Sequence, residues 1–147
     1  MRSRYRKSIK AIYVMIYIGI DTGVNTGMAV WDNGEKAFIS IETTMIHIAM
    51  ARVSELAKDS EVVVFVEDAR LATFGRQNDG ARAQGAGSVK RDAKIWQDFL
   101  KDKGIEFRMV RPSKSQKVSA SAFTAITGLK LRLSQHARDA AMIVFKR

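Results

Sequence analysis

A chain of 147 residues with one proline and no cysteine is long enough for one domain with its own core, which at this size takes roughly two-thirds of the unfolded surface out of water. The lack of cysteine excludes disulfides and thiolate metal sites and fits a reducing, cytoplasmic setting. The net charge of +10 is uneven: residues 32–68 hold eight acids against three bases and the remainder seven against twenty-two, so +15 lies outside that block. So localised a charge points to a polyanionic partner, nucleic acid first, because Lys and Arg displace counterions from phosphates.

Residues 1–11 form a basic tail, expected to be flexible, ahead of a single domain over 12–147. The start resembles a secretory leader, but no small-residue cleavage site follows and the apolar run is too short to span a bilayer. It is therefore read as a strand, with no membrane partner. The central stretch is 16–32. An apolar run ends in Asp21, a turn over 22–27 follows, and a second apolar run begins at Met28. Asp is a poor strand residue, and a lone buried carboxylate costs several kcal/mol unless a cation compensates it. Gly23 and Gly27 are expected to supply positive φ in the turn and a close backbone approach. The plain alternative is that Asp21 only caps its own turn.

Strands over 12–21, 27–32 and 36–42 make an antiparallel meander, the last two joined by an Asn33-Gly34 turn. Thr43 or Thr44 is placed to cap a helix over 45–58, in which His47 has no partner at ligand spacing and is read as structural. Residues 61–68 are continuously apolar until Glu67 and Asp68, so they read as a central strand, parallel to its neighbour and covered on both faces. Glu67 thus repeats the position of Asp21 at a strand's carboxyl end, where ligands gather in open α/β sheets.

Residues 70–87 read as a loop, then 88–103 as a helix with Val89, Ala93, Trp96 and Leu100 in one stripe and Lys90, Lys94 and Lys101 on another face, the latter a nucleic-acid contact or simple solvation. A fifth strand covers 105–110. Ser113 and Gln116 have capping-box spacing for a helix over 114–127, whose first turn offers Lys114 and Lys117 as a phosphate seat. From Ser134 onward a last helix buries Ala137, Ala140, Ala141, Ile143 and Val144, with His136 and Asp139 together on its flank.

Asp21, Glu67 and Asp139, with His136, share a plausible location. Three close carboxylates raise one another's pKa unless divalent cations sit among them, and oxygen donors with one imidazole suit Mg²⁺ or Mn²⁺. Two such ions are the arrangement that cleaves phosphodiesters.

Ile18-Gly-Ile-Asp-Thr-Gly23 with Thr26-Gly27, Val64-Phe-Val-Glu67, and His136-Ala-Arg-Asp139-Ala-Ala141 together resemble the acidic motifs of RuvC-type Holliday junction resolvases, in the RNase H-like superfamily. Ala83-Gln84-Gly85 with the following helix is similar to that family's interface helix, and Arg111-Pro-Ser with Lys114 and Lys117 to its basic stretch. The resemblance spans 16–145. It implies an RNase H-like α/β fold, with a mixed five-stranded sheet flanked by helices, a homodimer with contacts near Trp96, and Mg²⁺-dependent paired nicks in a four-way DNA junction that leave 5′-phosphate and 3′-hydroxyl ends. Asp21, Glu67, His136 and Asp139 would be the catalytic and metal-binding residues, with two Mg²⁺ ions, Mn²⁺ substituting. Arg70, Phe74, Arg76, Arg82, Lys90, Lys94, Arg111, Lys114 and Lys117 would contact DNA. Thr22 replaces the family's usual proline, and Phe74 is the nearest aromatic to the place of its junction wedge. The short length and basic tail look more like a phage-type or divergent member, acting in a bacterial or phage-infected cytoplasm.

Four rivals share parts of the pattern. A YqgF-type RNase H-like ribonuclease would act on RNA. Asp21-Thr22-Gly23 also marks retroviral-type aspartic proteases, whose fold is nearly all β. A non-catalytic binder of branched DNA would not need all four ligand positions. An actin-like ATPase needs two such domains, and the chain is too short.

Overall fold

The computed structural model describes residues 15–72 and 80–147, with 80–86 described by backbone alone. The proposed basic tail, and Phe74 and Arg76, lie outside the described residues, as does the Arg82 side chain. The chain forms β1 (Met15–Asp21), β2 (Asn25–Asp32), β3 (Ala37–Met45), α1 (Ile46–Asp59), β4 (Glu61–Glu67), α2 (Gly80–Lys103), β5 (Glu106–Val110), α3 (Ala120–Thr127) and α4 (Gln135–Val144), with single 3₁₀ turns at Ala69–Leu71 and Lys114–Gln116.

The architecture is α/β around an open mixed sheet of order β3-β2-β1-β4-β5. β1, β2 and β3 pair antiparallel, while β4 lies parallel to β1 and β5 parallel to β4. The expected meander and the parallel fourth and fifth strands are therefore present. Side chains alternate across a strand, and the burial follows that alternation. Ile16, Ile18, Ile20, Val62, Val64 and Val66 face α1 and α2, where they pack with Val53, Trp96 and Leu100. The opposite parity, Ala29, Trp31, Val63 and Phe65, faces α3 and α4 and packs with Phe123, Ala140, Ala141 and Val144.

Several local expectations change. Neither Thr43 nor Thr44 caps α1. Both continue β3, and Met45 takes the cap position with no side-chain hydrogen bond. The Asn33-Gly34 turn is not a two-residue loop. Asp32 Oδ1 accepts the N–H groups of Gly34 and Glu35 at 2.8 and 3.0 Å, and Lys36 takes the left-handed φ of 54° instead of Gly34. A register shift at Val30/Trp31 absorbs the extra length. α2 starts at Gly80, so residues 80–87 are helical rather than loop. Trp96 is fully buried against Phe99 and the sheet and belongs to the core.

The helix expected over 114–127 is broken in two. Lys114–Gln116 is a lone 3₁₀ turn in which Ser113 makes no capping bond, while Ser119 caps α3 by accepting from Ala122 N–H at 3.1 Å. A competing cap nearer the apolar residues wins, because the segment from Ala120 carries the fully buried Phe123. The phosphate seat based on a helix start at Lys114 is therefore absent. Among the described residues no helix is long and apolar enough to cross a membrane.

Candidate active site

β1 and β4 run parallel, with Ile20 beside Val66, so their carboxyl ends emerge side by side at one edge of the sheet. Asp21 and Glu67 are the terminal residues of these strands, and both fall on the parity that faces α4. Two glycines bring α4 down onto that face. A Cβ on Gly19 would stand 2.2 Å from Ala140 O, and one on Gly27 would stand 2.0 Å from His136 O. Gly27 thus serves close helix approach, not positive φ as the sequence suggested. Of the two turn glycines only Gly23, at φ 155°, has positive φ. Ser134 starts α4 by accepting from Ala137 N–H at 3.1 Å, and its hydroxyl also bonds Thr43 Oγ1.

The result is a shared anionic site. His136 Nδ1 lies 2.8 Å from Asp21 Oδ2. With Asp21 ionised this bond needs the proton on Nδ1, so Nε2 carries the lone pair of the neutral ring. Gln135 Nε2 donates to Asp139 Oδ1 at 2.6 Å, and Arg138 holds Gln135 Oε1 at 2.8 Å. Lys117 Nζ sits between the other two acids, 3.4 Å from Glu67 Oε1 and 3.3 Å from Asp139 Oδ2.

Burial pushes Asp21 above the usual carboxylate range, against the His136 hydrogen bond and the positive charge of Lys117. Burial likewise raises Glu67, with Asp21 and Asp139 adding to the effect and Lys117 opposing it. Lys117 is held above its ordinary value. Burial works against its charge, but the fields of Glu67, Asp139 and Asp21 outweigh that. Asp21 and Asp139 are 6% and 5% exposed, so these charges are largely cut off from water and depend on one another.

Asp21, Glu67, His136 and Asp139 are three hard oxygen donors and an imidazole, a set suited in kind to a hard divalent cation. As placed, the Lys117 ammonium fills the role of counter-ion and the imidazole is turned onto Asp21. Among the described residues no group of three Asp, Glu or His side chains is arranged to hold a metal ion.

The other expected contact residues are spread out. Arg70 donates through Nε and Nη2 to buried Asp68, both at 2.8 Å, and through Nη2 to Gln97 at 2.9 Å, tying the end of β4 to α2. Burial tends to raise the Asp68 carboxyl, but the Arg70 hydrogen bonds outweigh it and hold the group below its ordinary value. Lys94 pairs with Asp98 one turn along α2. Lys90, Arg111 and Lys114 are exposed, the last two on the segment that leads from β5 to Lys117. Gln135 went unassigned in the sequence, and Lys117 was assigned to DNA instead of to the acids it contacts. Gln135 stands four residues before Asp139, a helical spacing that was legible. The place of Lys117 among the acids was not, since fifty residues separate it from Glu67. No protein-family model matches the chain, and no curated protein matches it.

Proposed function

We propose that this chain is a metal-dependent endonuclease of RNase H-like fold, similar to the RuvC-type resolvases, that cuts four-way or other branched DNA junctions. The observation that carries the reading is the meeting of Asp21, Glu67 and Asp139, from three separated segments, at one sheet edge with His136 and Lys117. Burying Asp21 and Asp139 with half-buried Glu67 beside them costs stability, which supports a site organised for a cation. The mixed five-stranded sheet, an antiparallel meander followed by parallel strands, is compatible with the fold the resemblance implies. The nearly all-β protease alternative does not fit a chain with α1 to α4.

Asp21, Glu67, His136 and Asp139 would hold Mg²⁺, with Mn²⁺ able to substitute. Bound there, the cation supplies Lewis acidity for attack of water on a phosphodiester and for the leaving oxygen. The remaining work falls to the chain. Asp21 fixes the imidazole, Gln135 orients Asp139, and Lys117 keeps the acids together when no divalent ion is present. Exposed Arg111 and Lys114 would hold the phosphate backbone. The product ends would be 5′-phosphate and 3′-hydroxyl, and paired nicks would come from a homodimer.

The test is cleavage of four-way junction, flap, duplex and RNA hairpin substrates in Mg²⁺, beside an Asp21→Asn variant. The expected result is junction cutting by the parent and a loss of several orders of magnitude in the variant with junction affinity kept, since phosphate contacts supply most of the binding. Equal cutting by both removes the site, and cutting of RNA alone transfers the reading to a ribonuclease. Mass in solution decides the dimer.

A further inference from the structure

The turn between β2 and β3 brings together a chemistry that the acid site does not use. Asn33 is followed by Gly34, and of the three asparagines in the chain only this one precedes a glycine. The turn follows Asp32, which pairs with Ile16 at the start of β1, so it stands at the opposite end of the sheet from Asp21 and Glu67.

Around the Asn33-Gly34 peptide the side chains are placed as a reacting pair with help on each side. The Gly34 N–H donates to Asp32 Oδ1 at 2.8 Å, and the Glu35 N–H donates to the same oxygen at 3.0 Å. Lys36 Nζ donates to Asn33 Oδ1 at 2.6 Å. An ammonium has only donors, so its partner is the amide oxygen, and among the described residues Nδ2 has no hydrogen-bond partner. Neither Asp32 nor Lys36 forms an ion pair among the described residues, so both charges act within the turn. Gly34 is exposed, and without a side chain it leaves its nitrogen open to approach.

We propose that Asn33 is a self-modifying site, at which the turn converts asparagine to aspartate or isoaspartate through a cyclic imide. The Gly34 nitrogen attacks Asn33 Cγ while its proton passes to the Asp32 carboxylate, a general base already bonded to it. Negative charge develops on Oδ1, where the Lys36 ammonium stands. The Cγ–Nδ2 bond then breaks, and Nδ2 departs as ammonia with the proton that Asp32 received. Water, the only co-reactant, opens the ring. Addition at Cγ gives aspartate. Addition at the backbone carbonyl of Asn33 gives isoaspartate, whose main chain runs through Cγ and is longer by a methylene. Either product sets a carboxylate beside Lys36 and lowers the net charge of +10 by a unit. The Asn33 N–H also holds Met15 O at 3.0 Å, so the longer isoaspartate turn acts on the start of β1.

The experiment ages the full chain near neutral pH and follows it by intact and tandem mass spectrometry, with isoaspartate counted by enzymatic methylation. A gain of about 1 Da is expected at Asn33, ahead of Asn25 and Asn78. Asp32→Ser keeps an acceptor for the turn N–H groups but no carboxylate, and Lys36→Gln removes the cation. Each is expected to slow the gain by about tenfold in the folded chain and to leave it unchanged in urea. Gly34→Ala should suppress it by crowding the nucleophile, since the added Cβ stands 3.3 Å from Asp32 Oδ1. The parent itself should react more slowly in urea, where Asp32 and Lys36 disperse, and this comparison serves if a variant does not fold. No gain at Asn33 overturns the proposal. So does a gain that neither Asp32→Ser nor Lys36→Gln slows, or a parent that reacts as fast in urea, since either is the reactivity of any Asn-Gly pair. None of these outcomes depends on the nuclease reading of the acid site.

Discussion

Replacing Gly27 by Ala puts a methyl group where α4 lies against β2. The added Cβ would stand 2.0 Å from His136 O, 2.5 Å from its carbonyl carbon and 3.2 Å from Ala137 N, all of them backbone atoms with no rotamer to yield. Restoring a 3.0 Å approach requires α4 to retreat by about 1 Å. That retreat loosens Ala137, Ala140, Ala141 and Val144, each 0% exposed. Overpacking of this kind costs about 3 kcal/mol, near the top of the usual range because the clash is with main chain. For a domain of this size the loss is roughly 10 °C in Tm. The same shift carries His136 away from Asp21. Gly87→Ala is the control, since its Cβ meets nothing within 4 Å on an exposed turn of α2. It should add roughly 0.5–1 kcal/mol through helix propensity and a less free unfolded chain. Thermal unfolding followed by circular dichroism decides both. A Gly27→Ala protein that melts with its parent, or that moves in the same direction as Gly87→Ala, would show that α4 is not seated as described.

Further expectations follow from the charges. Asp21 and Glu67 have folded pKa values raised above their unfolded ones. Their contribution to stability is therefore fully present below about pH 4 and is lost as pH rises through the folded values. In EDTA, the Tm of Asp21→Asn and of Glu67→Gln relative to the parent should thus rise from pH 4 to pH 7, and a difference that is flat with pH would contradict the burial argument. Arg70→Ala leaves the Asp68 carboxylate, 2% exposed, without its bidentate partner, and should cost about 2–3 kcal/mol in urea unfolding. Adding Asp68→Asn should recover part of that, and no recovery would place the role of Arg70 elsewhere. Arg111→Ala and Lys114→Ala should each lower the slope of log affinity against log salt by about 1 on any DNA, and an unchanged slope removes them from the phosphate path.

The sheet was legible in the sequence because apolar alternation and the two acid-ended strands depend on neighbours only through burial. The antiparallel meander, the parallel fourth and fifth strands and the apolar face of α4 all appear where that pattern puts them. That Asp21, Glu67, His136 and Asp139 would meet was legible for a related reason, since polar groups interrupting buried elements stand out against them. Cap positions were less so. Ser113 and Ser119 offer similar local chemistry, and only the packing of Phe123 chooses between them.

The primary structure determined that acids would close two core strands and flank a small-residue helix, because burial of apolar side chains fixes which face each strand position takes. Only the tertiary structure decided that Gly19 and Gly27 are seats for α4, that Arg70 is bound to Asp68, and that Lys117 stands among the acids. The glycine seats, the Lys117 contacts and the bond from Arg70 to Gln97 depend on the distance between segments tens of residues apart, which chain spacing does not encode and close packing does.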